Sequence, residues 1–168
     1  MSVKKFEHRV LNVIKRSKLW IPDECVTLAV SGGVDSMVML DVLAQTQRSH
    51  RGNLQVVTFD HGFRVESAAE VQFVCQVCQT YDIPCIIQSL HLADGPNKQE
   101  RARNARREVL SQLDGAIATA HHASDQAETV LFRMLRGSGL DGLKGMSPRS
   151  ERWVKPLLME FKESIISI

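Results

Sequence analysis

Residues 25–45 read CVTLAVSGGVDSMVMLDVLAQ, and the break inside this stretch decides the fold. An apolar run, Val26 to Val30, stops at Ser31-Gly32-Gly33-Val34-Asp35-Ser36, and an amphipathic segment follows from Ser36 to Gln45. The pattern predicts a strand, a tight loop and a helix. Two glycines allow the turn and a close backbone approach, and Ser31 and Ser36 add hydroxyl donors. The first turn of the new helix leaves N–H groups without intrahelical partners. Such a loop is built to hold an anion, and a phosphate is the expected occupant. It lacks the Gly-Lys-Ser/Thr ending of a Walker A loop and the glycine spacing of a dinucleotide fingerprint, so neither of those phosphate-binding modes applies.

Working outward, residues 1–22 form a charged amphipathic helix with no signal-peptide core. Downstream the pattern alternates: strand Leu54 to Phe59, helix Ser67 to Tyr81, strand Cys85 to Ser89 and helix Gln99 to Leu113. Strand Ala116 to Ala120, helix Asp125 to Leu135 and a last strand near Trp153 to Lys155 complete it. Strands separated by helices imply parallel pairing through right-handed crossovers. The expected fold is therefore α/β, a doubly wound, mainly parallel five-stranded sheet with helices on both faces. Its ligands should lie beyond the carboxyl ends of the strands. One domain is expected over residues 1–168, with residues 136–168 as a glycine-rich loop and C-terminal extension in which FKESIISI opens a helix.

Composition narrows the class of function. With 43% hydrophobic and 24% charged residues the chain is neither disordered nor membrane-spanning in character, and a cytoplasmic, membrane-free protein is expected. A net charge of only +2 means that any nucleic-acid contact must come from a local patch. Cys25, Cys75, Cys78 and Cys85 fall in or beside predicted elements, which suits reduced thiols. Cys75-x-x-Cys78 has metal-like spacing, but Val71, Val74, Cys75 and Cys78 make one apolar helical stripe, so burial is the better reading.

Four further clusters carry chemistry. Strand Leu54 to Phe59 runs into Asp60-His61-Gly62-Phe63-Arg64, a polar turn able to touch a nucleotide or substrate. Helix Gln99 to Leu113 carries Lys98, Arg101, Arg103, Arg106 and Arg107, with Gln99, Arg103 and Arg106 on one face and Ala102, Val109 and Leu113 on the buried one. Arg103 and Arg106 can reach one phosphate together, or the run is a solvated face laced with intrahelical pairs. After AIATA come two histidines, Ser124 as the expected N-cap, and Asp125 and Glu128 one turn apart, able to bind an ammonium or a metal. Adjacent histidines after a strand point apart and no cysteine is near, which disfavours zinc. Last, Arg136-Gly137-Ser138-Gly139 opens a glycine-rich loop running to Met146 whose backbone can wrap a substrate.

Taken in order, these motifs resemble the tRNA(Ile)-lysidine synthetase family, a branch of the PP-loop ATP pyrophosphatases with an adenine nucleotide alpha hydrolase-like fold. The matching stretches are Ser31 to Ser36, Asp60 to Arg64, Gln99 to Arg106, His121 to Thr129 and Arg136 to Met146. The resemblance implies a ligase that uses ATP and Mg²⁺ to adenylate the wobble cytidine of a tRNA(Ile) with a CAU anticodon. Free L-lysine then displaces AMP. It implies that Ser31, Gly32, Gly33, Asp35, Ser36, Asp60, His61 and Arg103 bind ATP, with Asp35 acting through Mg²⁺. Asp35, Arg103, Arg106, Asp125 and Glu128 would be catalytic. Lysine and tRNA would meet Asp125, Glu128, Arg136, Gly137, Ser138 and Gly139.

Departures from the family pattern are Ser124 for an acid, Arg107 for an aromatic, Arg101 for an alanine and Lys155 for an arginine. The family also carries tRNA-binding C-terminal domains that these residues do not include. The alternatives are another PP-loop tRNA-modifying ATPase, such as a thiolase, or a truncated module that only binds ATP or AMP. Oligomeric state stays open, a homodimer included.

Overall fold

The apolar run after Cys25 becomes a central strand because both of its faces are covered. Val26, Thr27 and Leu28 in β1 (Cys25–Ala29) are all buried, and Gln55 Nε2 donates to the Thr27 hydroxyl at 2.8 Å. The computed structural model describes residues 2–60, 65–90, 97–137 and 144–168. Around β1 the elements are α1 (Val3–Arg16), α2 (Val34–Gln45), α3 (Gln47–His50), β2 (Asn53–Asp60), α4 (Val65–Thr80) and β3 (Cys85–Ser89). There follow α5 (Lys98–Ser111), β4 (Ala116–Ala118), α6 (Ala123–Leu135), β5 (Arg149–Ser150), β6 (Trp153–Val154) and α7 (Lys162–Ile166).

The sheet order is β3-β2-β1-β4-β6-β5, parallel except for the β5–β6 pair. Val26 is registered against Leu54 on one side and Ala116 on the other. The chain therefore winds outward from β1 in one direction and later resumes in the other. This reversal opens a crevice at the carboxyl ends of β1 and β4. The sheet has six strands among the described residues, one more than the sequence pattern predicts. The added β5 is two exposed residues paired antiparallel at the edge, too short to carry an alternation signal. The short α3 also escapes the pattern, being one turn closed by Arg51 in the left-handed region at φ 56°.

Side chains of neighbouring positions enter two cores. Leu28, Val56 and Ala118 join Phe6, Val10 and Ile14 of α1, Met39, Leu40 and Leu43 of α2, and Val74 of α4. Val57, Phe59 and Ile117 join Leu90 and Leu110 instead, so α5 covers the opposite face. A parallel sheet with helices on both faces follows directly from this period of two. No helix among the described residues is long and apolar enough to cross a membrane.

Glu160 ties three parts of the chain together. Its carboxylate, almost wholly buried, accepts Arg9 Nε at 2.9 Å, and its carbonyl accepts the Ala123 N–H at 2.9 Å. The bidentate arginine makes burial of that charge tolerable. The cysteine stripe behaves as the burial reading expects. Val71, Val74 and Cys78 are buried, and Cys75 is half-buried with its sulfur 3.3 Å from that of Cys85. All four thiols are free, and burial pushes the Cys78 and Cys85 thiols up, keeping them protonated.

His50 gives the fold a defined pH response. Its Nε2 lies 2.9 Å from the Leu43 carbonyl, its Nδ1 accepts the Gly52 N–H at 3.0 Å, and Trp20 packs edge-on at 5.2 Å. These partners fix a neutral ring protonated at Nε2. Burial lowers the pKa below its ordinary 6.5, more strongly than the hydrogen bond to Leu43 raises it. The unfolded chain thus takes up a proton that the folded chain resists. Stability should be flat above the ordinary histidine value and fall as pH drops below it. Urea midpoints measured from pH 8 to 5 should show this decline, and His50→Gln should flatten it. An unchanged slope in the variant would assign the effect elsewhere, His121 being the other histidine among the described residues whose pKa burial lowers.

Candidate functional site

The crevice at the switch point is a cavity of about 610 Å³ whose floor begins where β1 ends, at Ala29, Val30 and Ser31. The loop turns at Gly32, whose φ of 82° is accessible mainly to glycine, and an added Cβ would stand 3.2 Å from Glu70 Cβ of α4. Gly33 is the N-cap of α2 in extended geometry, so the helix begins at Val34, two residues before the apolar pattern predicts. The reason is that Val34 is exposed and contributes nothing to the buried stripe. The buried Ser36 hydroxyl donates to the Gly33 carbonyl at 2.8 Å, accepts the Ser31 N–H at 3.2 Å and faces the Ser31 hydroxyl at 3.3 Å. Ser36 thus braces the loop from within, while Ser31, Gly33 and the first turn of α2 face the cavity.

Asp35 lies on the same wall. Its Oδ2 is 3.6 Å from His122 Nε2 and 4.0 Å from Lys162 Nζ. Its Oδ1 is buried with no hydrogen-bond partner. A carboxylate oxygen without a donor, beside a loop shaped for phosphate, suits a hard divalent cation that takes its other ligands from phosphate and water. Asp35 thus suits Mg²⁺, which it would hold through this oxygen. Among the described residues no group of three or more His, Cys, Asp or Glu side chains is placed to hold a metal.

Facing this loop, β4 delivers Thr119, Ala120 and His121 to the cavity, and α6 delivers Asp125. The N-cap of α6 is His122 rather than Ser124. Asp125, at the third helical position, accepts the His122 N–H at 2.8 Å, which draws the helix start back to Ala123 and leaves Ser124 inside it. The buried His122 ring bridges the two acids, its Nδ1 being 3.5 Å from Asp125 Oδ2. His121 is held 2.9 Å from the Thr119 hydroxyl, and burial lowers its pKa against the pull of Asp125, favouring the neutral ring. Glu128, one turn after Asp125, is exposed and does not line the cavity.

The opposite wall is cationic. Arg103, Arg106 and Arg107 of α5 and Lys155 after β6 all line it. Burial lowers the pKa of Arg106, with the neighbouring Arg103 charge adding to it, and burial alone lowers that of Lys155. Both are thus cations in a partly desolvated setting, where an incoming phosphate binds most strongly. The Arg107 guanidinium lies 5.5 Å from the centre of the Trp153 ring. Between the walls, Phe59, Leu110, Trp153 and Met146 supply apolar surface for a planar group.

The remaining candidates stand apart. Asp60 closes β2, its carbonyl accepting the Leu90 N–H at 2.9 Å, and it does not line the cavity. Arg136 caps α6 with its guanidinium 4.1 Å from the centre of the Phe132 ring, and Gly137 follows at φ 71°. His61, Ser138 and Gly139 lie outside the described residues. Sequence reasoning passed over Glu70, Trp153 and Lys155 as site residues, although Lys155 stood out as a departure beside Pro156, and it offered Met146 only as the end of the glycine-rich loop. No described cysteine lines the cavity.

Comparison with known proteins agrees with this geometry. The family model described as a PP-loop domain matches residues 2–168. The tRNA(Ile)-lysidine synthase of Thermosipho africanus is 36% identical over 167 residues, covering 94% of this chain and 39% of that protein. That of Novosphingobium aromaticivorans is 43% identical over 149 residues, covering 82% and 45%. The chain thus spans less than half the length of the curated relatives it matches. Among solved structures, the U34-tRNA thiolase NcsA from Methanococcus maripaludis, bearing a [4Fe-4S] cluster, superposes with a TM-score of 0.79 at 19% identity, over 98% of this chain and 62% of that one. FMN adenylyltransferase of Candida glabrata superposes at 0.55 with 17% identity, over 99% and 57%. These distant structures speak for the fold, and the family model, matching residues 2–168 of a chain with this loop at its switch point, makes this protein a member of the PP-loop domain family.

Proposed function

We propose that this chain is the adenylating part of a tRNA(Ile)-lysidine synthase. The observation that carries the reading is the cavity itself, where a phosphate loop with an unpartnered Asp35 oxygen faces three arginines and a lysine across an apolar gap. The loop from Ser31 to Ser36 holds the β- and γ-phosphates, and Arg103 and Arg106 draw charge from the α-phosphate. Mg²⁺ held at Asp35 would neutralise the departing pyrophosphate. The oxygen at carbon 2 of the wobble cytidine attacks the α-phosphorus as the bond to the bridging oxygen breaks, giving the adenylated base and pyrophosphate. The amine of lysine then attacks carbon 2, loses a proton and expels AMP. Neutral His121 offers an acceptor for that proton on the same wall. Asp125 receives the lysine cation from within the cavity, and the exposed Glu128, one turn further along α6, adds a second carboxylate. The relatives' name supports the tRNA(Ile) substrate.

A thiolase is less well supported, since sulfur delivery needs thiols or a cluster at the cavity and none of the described cysteines lines it: Cys25 opens β1, and Cys75, Cys78 and Cys85 lie in α4 and β3. The test is to incubate the protein with ATP, Mg²⁺, labelled lysine and tRNA bearing a CAU anticodon. AMP, pyrophosphate and lysine-labelled RNA are expected. ADP and phosphate as products would refute adenylation, and pyrophosphate release without label in the RNA would refute lysine as the acceptor amine.

A further inference from the structure

One residue of α6 works away from the acids beside it. Gln126 Nε2 donates to the Met146 carbonyl at 2.9 Å, and Gln126 Oε1 accepts the Met146 N–H at 2.6 Å. A single side-chain amide thus makes with Met146 both hydrogen bonds that a neighbouring strand would make. Two turns further along α6, Arg133 Nη1 donates to the Gly145 carbonyl at 3.2 Å. Gly145 has φ 66°, and a Cβ on it would stand 2.7 Å from Gln126 Nε2. The bare backbone at Gly145 is what lets the amide close on Met146. Donor and acceptor at this reach are a property of glutamine, since asparagine is one methylene shorter and glutamate lacks the donor.

Met146 itself lines the cavity, on the same surface as Leu110 and Trp153. We infer that Gln126 is a positioning residue that acts through Met146, holding its thioether as an apolar wall against the base of a bound adenine nucleotide. Polarizable sulfur against the edge of a planar ring is a favourable contact, but a flexible methionine makes it reliably only if its backbone is fixed. The inference rests on the nucleotide reading of the cavity and extends it to a residue that touches no ligand.

The experiment measures two quantities in the wild type, Gln126→Leu, Met146→Ala and the double variant. The first is hydrogen exchange at the Met146 amide without nucleotide, and the second is affinity for α,β-methylene ATP. Gln126→Leu should speed exchange at Met146 by about tenfold or more. Each single variant should weaken nucleotide binding by roughly fivefold to thirtyfold, and the double variant no further than the worse single one, because both remove the same contact. Unchanged exchange would overturn the clamp. Additive losses, or full affinity in Gln126→Leu despite faster exchange, would overturn its action through Met146. Gln126→Glu keeps the acceptor but sets a carboxylate against the Met146 carbonyl, and gives the same test should the leucine variant not fold. If the wild type does not bind the analogue, the nucleotide reading and the role of Met146 both fail, while exchange still decides the clamp.

Discussion

Gly115→Ala is expected to cost more than about 4 kcal/mol of stability, enough to unfold many domains of this size. Gly115 sits just before β4 at φ 78°, and a Cβ there would lie 2.1 Å from the carbonyl oxygen of Cys25 and 2.9 Å from its carbonyl carbon. Neither atom belongs to a flexible side chain. Cys25 opens the central strand and is registered against Asn53 of β2, so it cannot retreat without breaking that pairing. Left-handed backbone costs an L-residue roughly 1–2 kcal/mol, and prising β4 from β1 costs the rest. Urea denaturation of Gly115→Ala beside the neighbouring exposed substitution Asp114→Ala checks this. A loss below about 1 kcal/mol would mean that the sheet yields far more than a close-packed core should.

Asp35→Ala should produce the largest functional effect, with little change in stability. The substitution removes the unpartnered Oδ1 and the carboxylate that faces His122 and Lys162. Charge stabilisation of a departing pyrophosphate is worth several kcal/mol, so pyrophosphate release should fall by about a thousandfold or more. The gain in ATP affinity on adding Mg²⁺ should vanish with it. The fold should survive, because an acid in the first turn of a helix contributes typically about 0.3–1 kcal/mol. Pyrophosphate release, nucleotide affinity with and without Mg²⁺, and thermal unfolding separate the outcomes. Release within tenfold of wild type would remove Asp35 from the chemistry, and loss of cooperative unfolding would make its role structural.

What the sequence disclosed and what it hid differ by the range of the interactions involved. The phosphate loop was legible because few residues tolerate its turn, and Gly32 meets Glu70 in the folded chain where any side chain would crowd it. The parallel strands were legible because each holds a short apolar stretch, such as Val26 to Leu28 or Val56 and Val57, between helical segments. The ends of elements shifted by one or two residues, as at the start of α2, where the exposed Val34 joins the helix without joining its buried face. The start of α6 was misplaced because serine is a good cap in isolation, whereas the reach of Asp125 back to the His122 N–H decides the matter here. Arg103, Arg106 and Asp125, which spacing put forward and the family resemblance assigned, do line the cavity, whereas Glu128, one turn from Asp125, does not. Lys155 and Trp153 reach the site only through strand crossovers, which local patterning does not encode. Gln126 reads as an ordinary polar residue until Gly145 is brought beside it.

The strand order also sets a timetable for synthesis. A chain emerging from the ribosome can pair β1 with β2 and β2 with β3 as soon as Ser89 is clear, which gives the phosphate loop its platform early. The partner on the other side of β1 is β4, and Val26 waits for Ala116 until α5 has been made. During that interval the exposed edge belongs to a largely apolar strand at the middle of the future sheet, not to a polar rim strand such as β5. Unpaired edges of this kind are where nascent chains join one another. The stretch most exposed to misassembly during translation is therefore the one that carries the nucleotide loop, and a chaperone guarding this protein would have to cover its centre before its margins exist.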